Sequence, residues 1–200
     1  MSGEFPVTID PENISLRSTR DSVQSFSLSG KRNSRLIGGH LWRLSVTLPE
    51  LTRREGQLVY SFLLSQKGTH DTFTILINGF RTPIGSNAGA SPTYSGYTND
   101  NQITAANFGS SVQDCVVAGD IFTFAGDEKV YMITDDADSD GSGNCVLKFE
   151  PELIQIPSGG AAITFSDVKM TVSLDRDFPP LVRSGFFCAP YTFNLIEALA

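Results

Sequence analysis

The chain has 200 residues, 40% of them apolar, 10% aromatic and 18% charged, which is too apolar for intrinsic disorder and long enough for one large or two small packed domains. Its 15 basic and 22 acidic side chains leave a net charge of −7, against the basic balance expected of a protein that neutralises nucleic-acid phosphates. The 18 Gly and 10 Pro residues point to many turns rather than long helices.

In chain order, residues 7–9, 14–16, 23–28 and 44–48 alternate apolar with polar, a period of two that predicts half-buried strands. Residues 29–40 lie between the last two. They are polar and basic, then Gly-Gly, and too long for a two-residue hairpin turn; the expectation is a projecting arm. A helix is predicted over 53–67. Thr52 and Glu55 have capping-box spacing, Val59, Phe62 and Leu63 form an apolar stripe with Leu58 beside it, and Gly68 is placed to end the helix. Gly56 in its first turns opposes that expectation by about 1 kcal/mol. A strand follows at 73–77.

From 81 to about 97 the sequence turns Gly-, Ser-, Pro- and Asn-rich, the composition of a loop or a domain crossing. Short strands are then expected at 101–105, 121–124, 129–134, 146–149 and 162–165, a set that suits a small β-barrel. Longer alternation returns at 168–174 and in a terminal segment from 187 to 199. The layout predicts a mainly β protein, a discontinuous β-sandwich with one helix interrupted by an inserted barrel. Charge follows the same division. Residues 1–80 carry nine basic and seven acidic side chains, 81–165 three and eleven, and 166–200 three and four.

No pattern for chemistry rises above chance. Asp136, Asp138 and Asp140 before Gly141 match the start of a calcium loop, but its twelfth position is Leu147 rather than Glu. The reading is a solvated turn and no metal site. His40 and His70 sit near no ligand pair, and the nucleophile-elbow, phosphate-loop and dinucleotide motifs are absent. The expectation is therefore no catalytic residue, no cofactor and no enzyme. Cys115, Cys145 and Cys188 have no paired spacing and read as reduced, mostly buried thiols of a cytoplasmically made protein, the alternative being one disulfide with one cysteine left over. No signal-peptide pattern and no apolar run long enough for a bilayer is seen.

Lys31, Arg32 and Arg35 make a basic patch on the arm, next to the apolar Leu36 and Ile37. Phe186 and Phe187 are adjacent, so in a strand one would enter the core while the other met a partner. Phe178, beside prolines, raises the same question. These eight residues are the subunit-interface candidates. The acidic middle of the same chain favours self-association through complementary patches.

The order of motifs then carries a resemblance. It comprises the W-x-L-x-V-T-L-P-E-L run from Trp42 to Leu51, the capped helix, and A-G-D-I-F-T-F-A-G-D-E-K-V-Y-M-I-T from Ala118 to Thr134. L-K-F-E-P-E-L from Leu147 follows, and then the Y-T-F-N-L-I-E-A-L ending. This order resembles the distal tail proteins of siphophages of Gram-negative bacteria, in their short form. The resemblance implies a tail-tube-like ring domain at 1–82 plus 164–200 and an inserted OB-like barrel at 83–163. It implies a structural virion protein at the distal end of the tail, made in the host cytoplasm. It further implies that the copies form a ring, in six for this family, that joins the tail tube protein to the tail-tip hub protein, with side fibres or a collar attached outside and DNA passing through without specific binding or any membrane role. The alternative is a carbohydrate-binding module of the tail tip, with Tyr94, Tyr97 and Tyr131 as candidate sugar platforms.

Overall fold

A computed structural model describes residues 3–6, 8–86, 91–176 and 180–199. Along them run β1 (Asn13–Phe26), β2 (Arg32–Leu48), β3 (Leu51–Thr52), α1 (Arg53–Ser65), β4 (Phe73–Leu76), β5 (Thr93–Asn99), β6 (Gln102–Ala106) and β7 (Ile121–Phe124). These are followed by β8 (Tyr131–Ile133), β9 (Cys145–Glu150), β10 (Ile163–Thr164), β11 (Lys169–Leu174), β12 (Arg183–Ser184), β13 (Phe187–Cys188) and β14 (Tyr191–Glu197). The fold is mainly β with one helix among the described residues. The chain divides into two compact units, one of Met1–Asp10, Asp71–Val172 and Ala198–Ala200, the other of Pro11–His70 and Ser173–Glu197.

In the second unit β1, β2 and β14 lie side by side and antiparallel. The alternation of β2 buries Trp42, Leu44, Val46 and Leu48. Opposite them, Phe193 faces Val46 and Leu195 faces Leu44, so apolar cross-strand pairs fill one face of the sheet. The buried Glu197 continues that face, where its carboxylate accepts the Trp42 amide at 3.1 Å. On the other face Arg43 pairs with Asp175 at 2.8 Å.

The predicted capping box is formed. Thr52 Oγ1 accepts the Glu55 amide, and the Glu55 carboxylate accepts the Thr52 amide at 3.0 Å. The Thr52 hydroxyl also donates to that carboxylate at 2.7 Å, and this bond and the one from the Thr52 amide hold the Glu55 carboxyl below its ordinary range. Val59, Leu63 and Gly56 form the buried stripe, while Leu58 is exposed. Past the helix end, Lys67 and Gly68 both take left-handed backbone, at φ 54° and 70°.

In the first unit the sheet order is β10-β7-β8-β9-β6-β5. Its outer strands are tied together where Tyr94 N donates to Ala161 O, Gly160 N to Tyr94 O and Ile163 N to Pro92 O. The sheet thus curls around an aromatic core. Phe122 sits at its centre, with Phe124, Tyr131, Phe149 and Phe165 at ring distances of 5.4–5.5 Å. Edge-to-face and stacked rings of this kind add to the large area each buries, and they account for part of the chain's 14 Phe. In the same unit β4 pairs with β11, and Lys169 reaches Glu4 at 3.0 Å.

Several expectations are corrected. Residues 14–16 and 23–26 are parts of one long strand, β1, rather than two, and Ser27 and Leu28 lie beyond its end. The described part of 7–9 is a turn, although Ile9 is buried; Val7 lies outside the described residues. The loop expected through 97 ends at Thr93, where β5 begins. Its alternation was unreadable because register shifts at Tyr94/Gly96 and Tyr97/Asn99 break the period.

Candidate interaction surfaces

The arm is a β-ribbon. β1 and β2 stay paired out to Phe26 and Arg32. The turn between them is closed by Ser27, whose amide donates to Lys31 O at 2.9 Å and whose hydroxyl accepts the Lys31 amide at 3.1 Å. β14 pairs β2 only from Arg43 to Leu48. Beyond that point, among the described residues, the ribbon has two strands and both its edges are open. Midway, Arg20 faces His40 and Ser22 faces Leu36, so Ile37, Gly38 and Gly39 oppose Asp21 alone. That bulge sharpens the twist of the outer ribbon, which extends for about 20 Å.

Lys31, Arg32, Arg35, Leu36 and Ile37 all lie on this outer ribbon, and all are exposed. Directly opposed residues share a face, so Phe26 stands beside Arg32 and Val23 beside Arg35. Val23, Phe26 and Leu28 are exposed too; sequence reading had assigned 23–28 to a half-buried strand. Between residues 18 and 40 Asp21 is the sole acid, against Arg20, Lys31, Arg32 and Arg35. A two-stranded ribbon is marginal in water, and open edges beside exposed apolar and basic side chains are the features of a surface made for a partner.

The second surface is the β12–β13 hairpin. Ser184 opposes Phe187, and β13 pairs in turn with β3. The expectation that one of Phe186 and Phe187 enters the core is not met. Phe186 is 89% exposed and Phe187 48%, and the buried side chain of β13 is Cys188. The reason is register: the inward position of this two-residue strand falls on residue 188, and Phe186 belongs to the turn. Phe178 lies outside the described residues.

In the first unit the acidic side chains serve mostly as ties between loops. Asp136 accepts the Ala118 amide and Asp138 the Asp114 amide, each at 2.8 Å. Asp140 accepts the amides of Ser142 and Asn144, both at 2.8 Å, and its bonds to Asn144 hold its carboxyl below the ordinary range. No group of three or more His, Cys, Asp or Glu that could hold a metal ion is found among the described residues. The buried Asp120 accepts the amides of Ile84 at 2.6 Å, Gly85 at 3.0 Å and Val117 at 3.2 Å. Gly85 has no room for a side chain, because a Cβ there would lie 2.7 Å from Val116 Cα. Asp120 thereby anchors the segment that opens this region. Where the chain enters and leaves it, Arg81 Nε meets Asp167 at 2.9 Å, and the Asp167 amide donates to Arg81 O at 2.8 Å.

Asp100, Asp114, Asp135, Asp136, Asp138, Asp140, Glu150 and Glu152 are exposed here, whereas Lys129 is buried. The surface of this region is therefore strongly negative. Of the candidate sugar platforms, Tyr131 is fully buried and Tyr94 is 7% exposed. Tyr97 is 45% exposed, but its hydroxyl is committed to Asp100 at 2.5 Å. Sequence reading missed the ties made by Asp120 and by Arg81 with Asp167; spacing in sequence carries no trace of a contact 86 residues apart. No helix among the described residues is long and apolar enough to cross a membrane.

Residues 82–168 match the family model for the B domain of distal tail protein pb9. The match starts and stops within a residue of Arg81 and Asp167 and covers the whole six-stranded sheet. No curated protein sequence matches the chain.

Proposed function

We propose that this chain, whose residues 82–168 match the B domain of distal tail protein pb9, is a siphophage distal tail protein whose copies close into a ring at the end of the tail tube, six in number as the family resemblance implies. The ring joins the tube protein on one side to the tail-tip hub protein on the other. Residues 1–82 and 164–200 build it, and the acidic region at 83–163 offers a peripheral surface to side fibres or a collar. DNA passes through the opening without being gripped. The role is structural, in the tail of the virion, for a protein made in the host cytoplasm.

The observation that carries this reading is the open-edged ribbon of β1 and β2, with its basic and apolar side chains unsupported by any third strand among the described residues. A head-to-tail contact between such an arm and a different patch on the next copy closes when its rotation divides the circle. The arm's basic residues and the acidic region supply charges of opposite sign for that contact. Lys31, Arg32, Arg35, Leu36 and Ile37 are its interface residues, with Phe186 and Phe187 as a second patch; Phe178 is assigned to the same surface from sequence. The burial of Tyr94 and Tyr131 leaves Tyr97, of the three candidates, as the aromatic platform for the sugar-binding alternative.

Mass measurement of the purified protein over a range of concentration, with negative-stain images, tests the proposal. The expected result is a closed ring of uniform copy number. Virions labelled with an antibody against the chain should carry label at the tail end far from the head. Label distributed along the tube or on the head overturns it.

A further inference from the structure

Cys115 and Cys145 meet inside the curled sheet of the first unit, with their sulfurs 3.1 Å apart. Both are free thiols and both are buried. Cys145 opens β9, where it is held by pairing with Ala105 of β6. Cys115 lies in the irregular stretch between β6 and β7, and its neighbour Val116 exchanges backbone bonds with Ala137. The two positions are 30 residues apart in sequence. A disulfide needs about 2.05 Å between sulfurs, so a shift of roughly 1 Å, taken up by the irregular stretch, closes the gap.

We infer that Cys115 and Cys145 are a disulfide site, reduced while the protein folds in the cytoplasm and oxidised after the particle leaves the cell. The chemistry is thiol–disulfide exchange with a small disulfide oxidant such as oxidised glutathione. The thiolate of Cys115 attacks one sulfur of the oxidant, forming a mixed disulfide and expelling one small thiol. Cys145 then attacks Cys115 Sγ, forming the intrachain bond and expelling the second small thiol. The two protein thiols give up two electrons and two protons, and the oxidant becomes two thiols.

Burial determines the timing. It raises the thiol pKa of both residues, which keeps them protonated and inert in the closed state. Exchange proceeds through local opening of the 107–120 stretch, so the thiols survive folding and oxidise slowly afterwards. Once made, the bond ties that stretch to β9 and restricts the unfolded chain. Its value to the protein follows from the proposed place on a virion, which must last in an oxidising medium. The bond itself does not depend on that proposal.

The experiment incubates the purified full chain with oxidised glutathione in dilute urea, removes both, and maps the cysteines by peptide mass. The expected result is a Cys115–Cys145 link, a free Cys188, and a melting temperature higher by roughly 5–10 °C that returns to its first value on reduction. Cys188→Ala should show the same link and the same shift. Cys145→Ser should show neither, and Cys145→Ala provides a second test if the serine variant folds poorly. Free Cys115 and Cys145 after incubation, a link to Cys188, or a link without a rise in melting temperature overturns the inference. None of these outcomes bears on ring formation.

Discussion

The sulfur of Cys188 occupies the space that a side chain on residue 56 would need: a Cβ built on Gly56 would lie 2.5 Å from Cys188 Sγ and 2.8 Å from its Cβ. A glycine inside a helix ordinarily costs about 1 kcal/mol against alanine. Here the absence of a side chain lets β13 lie directly against α1. Gly56→Ala is therefore expected to lower stability, by about 1–3 kcal/mol in urea unfolding, as overpacking does. Combined with Cys188→Gly it should show a favourable coupling of about 1 kcal/mol or more. A gain in stability from Gly56→Ala alone would remove this account.

Asp120 carries three backbone amides on one buried carboxylate. Asp120→Ala leaves those donors unmet, which predicts a loss of about 2–4 kcal/mol. Hydrogen exchange should show the amides of Ile84, Gly85 and Val117 losing protection first. A loss below 0.5 kcal/mol would mean that water replaces the carboxylate freely.

Asp140 predicts a pH dependence. Its bonds to Asn144, with a further one to Ser142, hold its folded pKa below the unfolded value. The contribution is therefore fully present above the unfolded pKa, near 3.9 for an aspartate, and is lost as pH falls through the lower folded value. The melting temperature of Asp140→Asn should lie below that of the native chain at neutral pH, and the two curves should converge in acid. Parallel curves across that window would contradict the assignment.

The interface proposed on the arm predicts that assembly and stability separate. The triple variant Lys31→Glu, Arg32→Glu, Arg35→Glu changes exposed side chains only, so each site should alter stability by no more than about 0.5 kcal/mol. Its rings should nevertheless fail to form in negative-stain images. Intact rings would move the interface off the arm.

How far the sequence could be read depended on period and on distance. In the second unit β14 and the inner half of β2 were legible because they bury strictly alternate residues, as from Leu44 to Leu48. The helix was legible from Thr52 and Glu55, whose bonds are local. β5 was not, because its bulges break the alternation and its composition is that of a loop. At the candidate surfaces, residues 31–37 were found by composition alone. The misplacement of Phe186 and Phe187 has a different origin. Their environment is set by pairing of β13 with β3, more than a hundred residues earlier, and no local pattern encodes that register.

The clasp between Arg81 and Asp167 brings the two ends of an 87-residue passage within one hydrogen bond of each other. A stretch whose ends touch can be excised or exchanged as a cassette, because the severed chain rejoins over the same gap. The salt bridge between Arg81 and Asp167 marks the seam at which such an exchange would rejoin the chain.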